Sequence, residues 1–108
     1  MVQTILGGGG AIGVELAKAL PLFTQERVRI VSRNPQKVNE SDELMAADLL
    51  SADQVSKAVA GSSVVYLVAG LPYKLSVWQV QWPVVMKNVL EACKWHNAKL
   101  VFFDNIYM

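Results

Sequence analysis

A run of glycines near the amino terminus is the part of the sequence best suited to chemistry. The run satisfies Gly-x-Gly-x-x-Gly at positions 8, 10 and 13, and Gly-x-x-Gly-x-x-Gly at positions 7, 10 and 13. Glycine permits a tight turn and lets the backbone approach a phosphate, and the N–H groups at a helix start attract the anion. The spacing therefore predicts a pyrophosphate-binding loop. Its residues are Gly7, Gly8, Gly10, Ala11, Ile12 and Gly13.

The residues that follow this loop discriminate between the known kinds of glycine-rich site. A Walker loop needs Lys followed by Ser or Thr after the last glycine, whereas Val14 and Glu15 stand there. NAD sites usually have an acidic residue about 20 positions further on, which binds the ribose hydroxyls. Here Arg33 occupies that position, after Ser32, and a guanidinium suits a 2′-phosphate. We therefore expect NADP to be preferred over NAD. The alternative for the glycine run is a flexible strand-to-helix loop without a ligand, and the alternative for Arg33 is a solvated loop arginine.

Short apolar runs alternate with helical patterns along the rest of the chain. Strands are predicted at Val2 to Leu6, Val28 to Ser32, Glu43 to Ala47, Val64 to Val68 and Lys99 to Phe103. The first helix is predicted from Ala11 to Leu20, where Pro21 ends it. The second begins at a cap on Ser51 or Asp53, runs through Val59 and is closed by Gly61. The third runs from Ser76 to His96, with a kink or restart at Pro83.

This alternation predicts an α/β fold with right-handed crossovers. The expected architecture is a Rossmann-like doubly wound parallel sheet of five strands in the order 3-2-1-4-5. In that arrangement the glycine loop lies at the carboxyl end of the first strand, beside the switch point between strands 1 and 4.

Composition excludes several classes of protein. The 108 residues are enough for one domain, and ten basic against nine acidic residues argue against nucleic-acid and anionic-membrane partners. The single Cys93 excludes a disulfide framework and a cysteine-based metal cluster within the chain. The longest apolar run, Val64 to Leu71, is far shorter than the roughly 18 residues of a membrane span, and no signal-peptide pattern is visible. A soluble, cytoplasmic domain is expected.

With these residues in hand, the sequence resembles the N-terminal part of an extended or atypical short-chain dehydrogenase/reductase, more narrowly of the NAD-dependent epimerase/dehydratase family. In that family an Asp and an aliphatic residue after the third strand contact the adenine, and Asp48-Leu49 matches. A pair of small residues after the fourth strand lines the cofactor, and Ala69-Gly70 matches. The next helix carries an Asn in an apolar-Asn-Val-x-x-Ala context, which Asn88 matches. The resemblance implies an N-terminal NAD(P)-binding Rossmann domain over residues 1–108.

The sequence departs from the family pattern in two places. Asn105 stands near the position of the family's catalytic hydroxyl, so the resemblance implies that this donor is changed or supplied elsewhere. The family's Tyr-x-x-x-Lys pair is missing, since Val77 stands four residues after Tyr73 and only Met108 follows Tyr107. The resemblance therefore implies a chain that is incomplete relative to the family, without catalytic residues or a substrate region, and inactive by itself.

Two functions are compatible with these observations. The first is the cofactor-binding portion of an oxidoreductase or epimerase/dehydratase, which acts by hydride transfer at a carbonyl, alcohol or sugar-nucleotide carbon. The second is a non-catalytic module that senses a dinucleotide or binds a partner. Both functions require a dinucleotide, NADP or NAD. The enzyme would also bind a small-molecule substrate, which the sequence does not identify. No metal, nucleic acid or membrane is predicted as a partner, and a homo-oligomer of the longer protein stays open.

The remaining conspicuous residues have simpler explanations. Cys93 lies on an apolar helical stripe and is expected in the core, while His96 is expected at the surface, complementing the helix dipole. Asp48 alone could end a strand or cap a helix, and Asn88 could be a solvated helix residue. Tryptophans are expected to pack against a partner segment; they are Trp78, Trp82 and Trp95.

Overall fold

The computed structural model describes residues 2–7, 11–33, 35, 37–68 and 75–102, with the backbone alone at 11–13, 75–82 and 102. Strands and helices alternate through this part of the chain. The strands are β1 (Val2–Leu6), β2 (Arg27–Ser32), β3 (Glu43–Ala46), β4 (Ser62–Leu67) and β5 (Lys99–Phe102). The helices are α1 (Ala11–Phe23), α2 (Ala52–Val59) and α3 (Leu75–His96).

The strands form one parallel sheet in the order β3-β2-β1-β4-β5. β1 is central: Ile5 lies opposite Ile30 of β2 on one side and Tyr66 of β4 on the other. The chain builds the sheet outward from β1 first in one direction and then in the other, so the order reverses at β1. The predicted fold class and strand order are therefore confirmed.

Apolar side chains fill both faces of this sheet. Leu6, Val31 and Leu67 belong to a buried cluster with residues of α2 and α3. Their strand neighbours Ile5 and Ile30 point the opposite way and join a second cluster with residues of α1. Burial on both faces explains why the strands read as continuous apolar runs in the sequence.

Helix α1 extends to Phe23, so the prediction that Pro21 ends it is wrong. A proline inside a helix leaves the carbonyl four residues earlier without its usual N–H donor. That carbonyl belongs to the buried Ala17, and it accepts a 2.7 Å hydrogen bond from Nδ2 of Asn39. The side-chain amide of Asn39 thus replaces the missing N–H. The helix then closes with a bond from the Thr24 N–H to the Leu20 carbonyl.

Helix α3 continues through Pro83 as one element, so the helix does not restart there. It is the longest helix described, with 22 residues. None of the helices in the described ranges is both long enough and apolar enough to cross a membrane.

Helix α2 has the caps that its sequence predicts. The Ser51 hydroxyl accepts a hydrogen bond from the Gln54 N–H at 3.5 Å, and Gly61 follows the C-cap with a φ of +79°. β4 then begins at Ser62, two residues before the predicted start, because Ser62 pairs with Val2. The other strand boundaries agree to within one residue; Phe103, the predicted end of the fifth strand, lies outside the described residues.

Arg29 connects three elements on one side of the sheet. Its side chain is 13% exposed, and Nη1 donates to the carbonyls of Ala58 and Ala60, at 2.7 and 2.9 Å, at the end of α2. Its Nε lies 3.3 Å from Oε1 of Glu43, its partner on β3. That N–H does not point at the carboxylate, so Nε is buried without a hydrogen-bond acceptor among the described residues. The contact between Arg29 and Glu43 is therefore an ion pair without a hydrogen bond from Nε, and the hydrogen bonds of the guanidinium go to the carbonyls at the end of α2.

Candidate functional site

The glycine turn lies at the carboxyl end of the central strand. Gly7 follows β1 directly with a φ of +83°, a conformation that favours glycine, and its N–H donates to the Val31 carbonyl at 2.7 Å. Helix α1 begins at Ala11, so Ala11, Ile12 and Gly13 form its first turn. The N–H groups of a first helical turn have no partner within the helix and carry the positive end of its dipole. The turn therefore places an anion-binding helix start where the strand order reverses.

Arg33 lies at the same edge of the sheet, one strand away. Ser32 ends β2, and its carbonyl accepts a hydrogen bond from the Ala47 N–H at 2.9 Å. Arg33 follows it directly and is exposed. Within the described ranges no carboxylate forms an ion pair with its guanidinium, in contrast to Arg29. Arg33 is thus exposed at the same edge of the sheet as the start of α1.

A tight turn follows β3 at this edge and contains Asp48 and Leu49. Oδ1 of the half-buried Asp48 accepts a hydrogen bond from the Leu50 N–H at 3.0 Å, and its carbonyl accepts one from the Ser51 N–H at 3.0 Å. Leu49 packs against the cluster beneath α2 and α3. No described residue accepts a hydrogen bond from the Leu49 N–H. The turn thus presents one carboxylate oxygen and one N–H group with capacity for a ligand.

Two other residues hold this turn, and neither contact was predicted from the sequence. Oε1 of Gln54 accepts a 2.8 Å hydrogen bond from the Asp48 N–H. Nδ2 of Asn88, on α3, donates to the Leu49 carbonyl at 3.0 Å. The spacing of Ser51 and Gln54 is that of a capping box and could have indicated that Gln54 reaches back. Asn88 is 8% exposed, so the alternative of a solvated helix residue is wrong.

Several predicted site residues lie outside the described residues. They are Gly8, Gly10, Ala69 and Gly70. The residues at which the sequence departs from the family pattern, Tyr73, Asn105 and Tyr107, also lie outside the described residues. β4, which precedes Ala69, ends at Leu67, and the Val68 N–H donates to the Leu6 carbonyl at 3.0 Å. The ends of β1 and β4 are therefore adjacent, as the predicted site requires.

Other residues singled out in the sequence lie away from this edge. Cys93 is buried, as predicted, and burial raises the pKa of its thiol. His96 is half-buried, with Nε2 3.1 Å from the Ser56 hydroxyl of α2, so it joins two helices as well as lying at a helix end. Trp95 is 84% exposed. The side chains of the other two tryptophans are not among those described.

A polar cluster occupies the opposite, amino-terminal edge of the sheet. Oε2 of Glu26 accepts hydrogen bonds from Ser63 at 2.6 Å and from Gln3 at 2.9 Å, and these bonds lower the pKa of the Glu26 carboxyl. Tyr66 donates to Oε1 of Gln3 at 2.8 Å; burial, and then the charge of Glu26, raise the pKa of its phenol. The cluster joins β1 to β4.

The described residues fit a dinucleotide better than a metal ion. No group of three or more His, Cys, Asp or Glu side chains in the described ranges could hold a metal. The carboxyl ends of β1, β2 and β3 instead present a helix start, a guanidinium and a turn N–H, and neither of these last two groups has a partner among the described residues. A helix start suits a pyrophosphate, a guanidinium suits a phosphate, and a turn with one donor and one acceptor suits a base edge.

A doubly wound sheet with a glycine turn at its switch point defines the class of Rossmann dinucleotide-binding domains. A family model described as NAD(P)H-binding matches residues 7–103. The chain belongs to this NAD(P)H-binding family.

Solved structures share this fold. The chain is similar to uronate dehydrogenase from Agrobacterium tumefaciens, with a TM-score of 0.81 and 20% identity over 94% of this chain and 39% of that one. A mutant of that enzyme complexed with NAD gives the same values. A wide-type short-chain dehydrogenase/reductase from Veillonella parvula DSM 2008, in complex with NADP, gives a TM-score of 0.69 and 19% identity over 94% of this chain and 46% of that one.

The family model confirms NAD(P) as the class of cofactor. The solved structures confirm that the fold resembles that of a short-chain dehydrogenase/reductase. A search of the curated proteins gives no match. The chain spans less than half the length of the protein in each of the three solved structures described above.

Proposed function

We propose that the protein is an oxidoreductase or epimerase/dehydratase that transfers a hydride at a carbonyl, alcohol or sugar-nucleotide carbon. Residues 1–108 form its N-terminal NAD(P)-binding domain. One observation carries this proposal: three groups suited to a dinucleotide follow β1, β2 and β3, which are adjacent strands with their carboxyl ends at one edge. Ligands of open α/β sheets bind outside that edge, at the switch point.

The pyrophosphate is assigned to the glycine turn and the start of α1. The glycines allow close approach of the backbone, and the first turn of the helix donates its free N–H groups. The proposed phosphate contacts come from Gly7, Gly8, Gly10, Ala11, Ile12 and Gly13. Ala69 and Gly70, after β4, are assigned to the lining of the cofactor site.

The adenosine half is assigned to the ends of β2 and β3. Arg33, with Ser32, binds the 2′-phosphate of NADP, because the exposed guanidinium has no carboxylate partner among the described residues. Asp48 accepts a hydrogen bond from the adenine amino group, and Leu49 covers the base and donates its N–H. NADP is therefore the preferred cofactor.

The bound nicotinamide supplies the hydride chemistry, and this chain binds and orients it. Proton transfer is assigned to residues outside this chain, since the sequence contains no Tyr-x-x-x-Lys pair. The cytoplasm is the proposed location, because a single, buried cysteine suits a reducing compartment.

A non-catalytic module that binds a dinucleotide and a protein partner is the alternative function. The exposure of Trp95, at 84%, favours it, because large exposed aromatic side chains are enriched in protein interfaces. Calorimetric titration with NADP, followed by a spectrophotometric assay of NADPH formation or consumption, tests both functions in the full protein. The assay uses alcohols, aldehydes and sugar nucleotides as substrates.

Binding with turnover is the expected result of these two experiments. Binding without turnover of any substrate would favour the sensing module over the enzyme. Absence of binding to NADP and NAD would contradict both functions.

A further inference from the structure

Asn88 is a buried polar side chain in an otherwise apolar part of α3. It is 8% exposed, and its neighbours Val85, Val89 and Ala92 belong to the core cluster beneath α2 and α3. A buried amide without a partner destabilises a protein, so this position needs a bonding partner that an aliphatic residue would not. The partner is the backbone carbonyl of Leu49, 3.0 Å from Nδ2. The amide thus reaches from a core helix to the turn that follows β3.

The carbonyl that Asn88 binds is one half of a peptide group whose other half binds Asp48. The Leu49 carbonyl and the Leu50 N–H belong to the same planar peptide unit. The Leu50 N–H donates to Oδ1 of Asp48 at 3.0 Å. Hydrogen bonds therefore run in series from the Asn88 amide through this peptide to the Asp48 carboxylate. Such chains polarise one another, and rotation of the central peptide would disrupt both ends.

We propose that Asn88 is a positioning residue that sets the orientation of the Asp48 carboxylate toward the adenine of the cofactor. This inference rests on the proposed function, in which Asp48 and Leu49 bind the base. With Oδ1 occupied by the Leu50 N–H, Oδ2 is the oxygen that receives the adenine amino group. Gln54 holds the other side of the turn by accepting the Asp48 N–H at 2.8 Å. Asn88 thereby connects the core of the domain to recognition of the base.

The chemistry of the base provides the test. Adenine presents an amino donor at C6 and an acceptor at N1, whereas hypoxanthine presents a carbonyl at C6 and an N–H at N1. The Asp48 acceptor and the Leu49 donor complement adenine and face the wrong groups on hypoxanthine. An unsatisfied pair of this kind weakens binding, so the protein prefers NADP to its hypoxanthine analogue by roughly tenfold or more.

The experiment is calorimetric titration of the wild-type protein and of Asn88→Leu with NADP and with the hypoxanthine analogue. The leucine side chain has nearly the shape of the asparagine side chain but no donor, so it cannot bind the Leu49 carbonyl. We expect the adenine preference to fall to about twofold, with NADP losing affinity and the analogue nearly unchanged, because only the adenine contact depends on this alignment. Asn88→Ala removes the donor together with most of the side chain and is expected to reduce the preference in the same way. Lys87→Ala, an exposed neighbour on α3, is the matched control and keeps the wild-type preference.

A purely structural role for Asn88 predicts equal loss of affinity for both dinucleotides, and that result would overturn the inference. The amide proton of Leu50, read by NMR without any cofactor, gives an independent measurement. It should move upfield in both Asn88 variants as its bond to the carboxylate weakens, and an unmoved signal would also contradict the relay. If the wild-type protein binds both dinucleotides equally, or neither, the assignment of adenine to Asp48 fails and the proposal about Asn88 fails with it. Wild-type discrimination that survives in both variants overturns the role of Asn88 alone.

Discussion

Replacing Arg33 by alanine should abolish the proposed preference for NADP, so that NADP and NAD bind with similar affinity. A charge-assisted hydrogen bond from guanidinium to phosphate contributes about 1.5–3 kcal/mol. Because Arg33 is exposed, solvent screening places this contact at the lower end of that range. The expected loss is therefore about tenfold in affinity for NADP. NAD has only a hydroxyl at that position, so its affinity should change little.

Isothermal titration calorimetry of both cofactors into both proteins measures this directly. Arg27→Ala is a matched control, since Arg27 is also exposed and begins the same strand. The six-residue separation along β2 places it roughly 20 Å from Arg33, at the opposite edge of the sheet. Its replacement should leave both affinities unchanged. Equal losses for NADP and NAD in Arg33→Ala, or tighter binding of NAD by the wild-type protein, would show that Arg33 is an ordinary loop residue.

Three further predictions concern stability. Arg29→Ala leaves two carbonyls at the end of α2 and the Glu43 carboxylate without their partner. It should lower the free energy of unfolding, measured in urea, by about 2–4 kcal/mol. A change within error would show that the contacts of Arg29 contribute nothing to stability. Asn39→Ala leaves the Ala17 carbonyl without its replacement donor and should cost about 1–3 kcal/mol in the same assay, whereas in a Pro21→Ala background, where the helical N–H returns, the cost should be smaller. Because the pKa of Glu26 is lowered, its ionised form stabilises the fold at pH values above the ordinary Glu pKa of 4.5, and this contribution is lost as the pH falls through the lowered pKa. The difference in unfolding free energy between the wild type and Glu26→Gln should therefore shrink in acid. A difference that stays constant with pH would contradict the stabilising role of the ionised Glu26 carboxylate.

The strand order and the position of the glycine turn could be predicted from the sequence because both follow from local patterns. Apolar runs such as Val64 to Val68 alternate with amphipathic segments, and the handedness of parallel crossovers restricts the topology that follows. The turn at Gly7 and the cap at Ser51 are also local, since each depends on residues within a few positions. These features therefore appeared in the structure nearly as predicted.

Contacts between residues distant in the chain could not be predicted in this way. Pro21 should end a helix, and it fails to do so only because Asn39, 22 residues beyond Ala17 in the sequence, supplies a donor. The bond between Asn88 and Leu49 joins residues 39 positions apart and becomes visible only when α3 packs beside the turn after β3. Periodicity and caps carry no information about such pairs.

Binding of a dinucleotide at the carboxyl edge of the sheet can be tested by NMR mapping of the amide signals during titration with NADP. The signals of Gly7, Arg33 and Leu49 should shift progressively and reach saturation together. The signals of Gln3 and Ser63, at the amino-terminal edge, should stay in place and serve as the internal reference. Saturable shifts confined to that amino-terminal edge, or no saturable shifts at all, would show that no dinucleotide binds at the carboxyl edge.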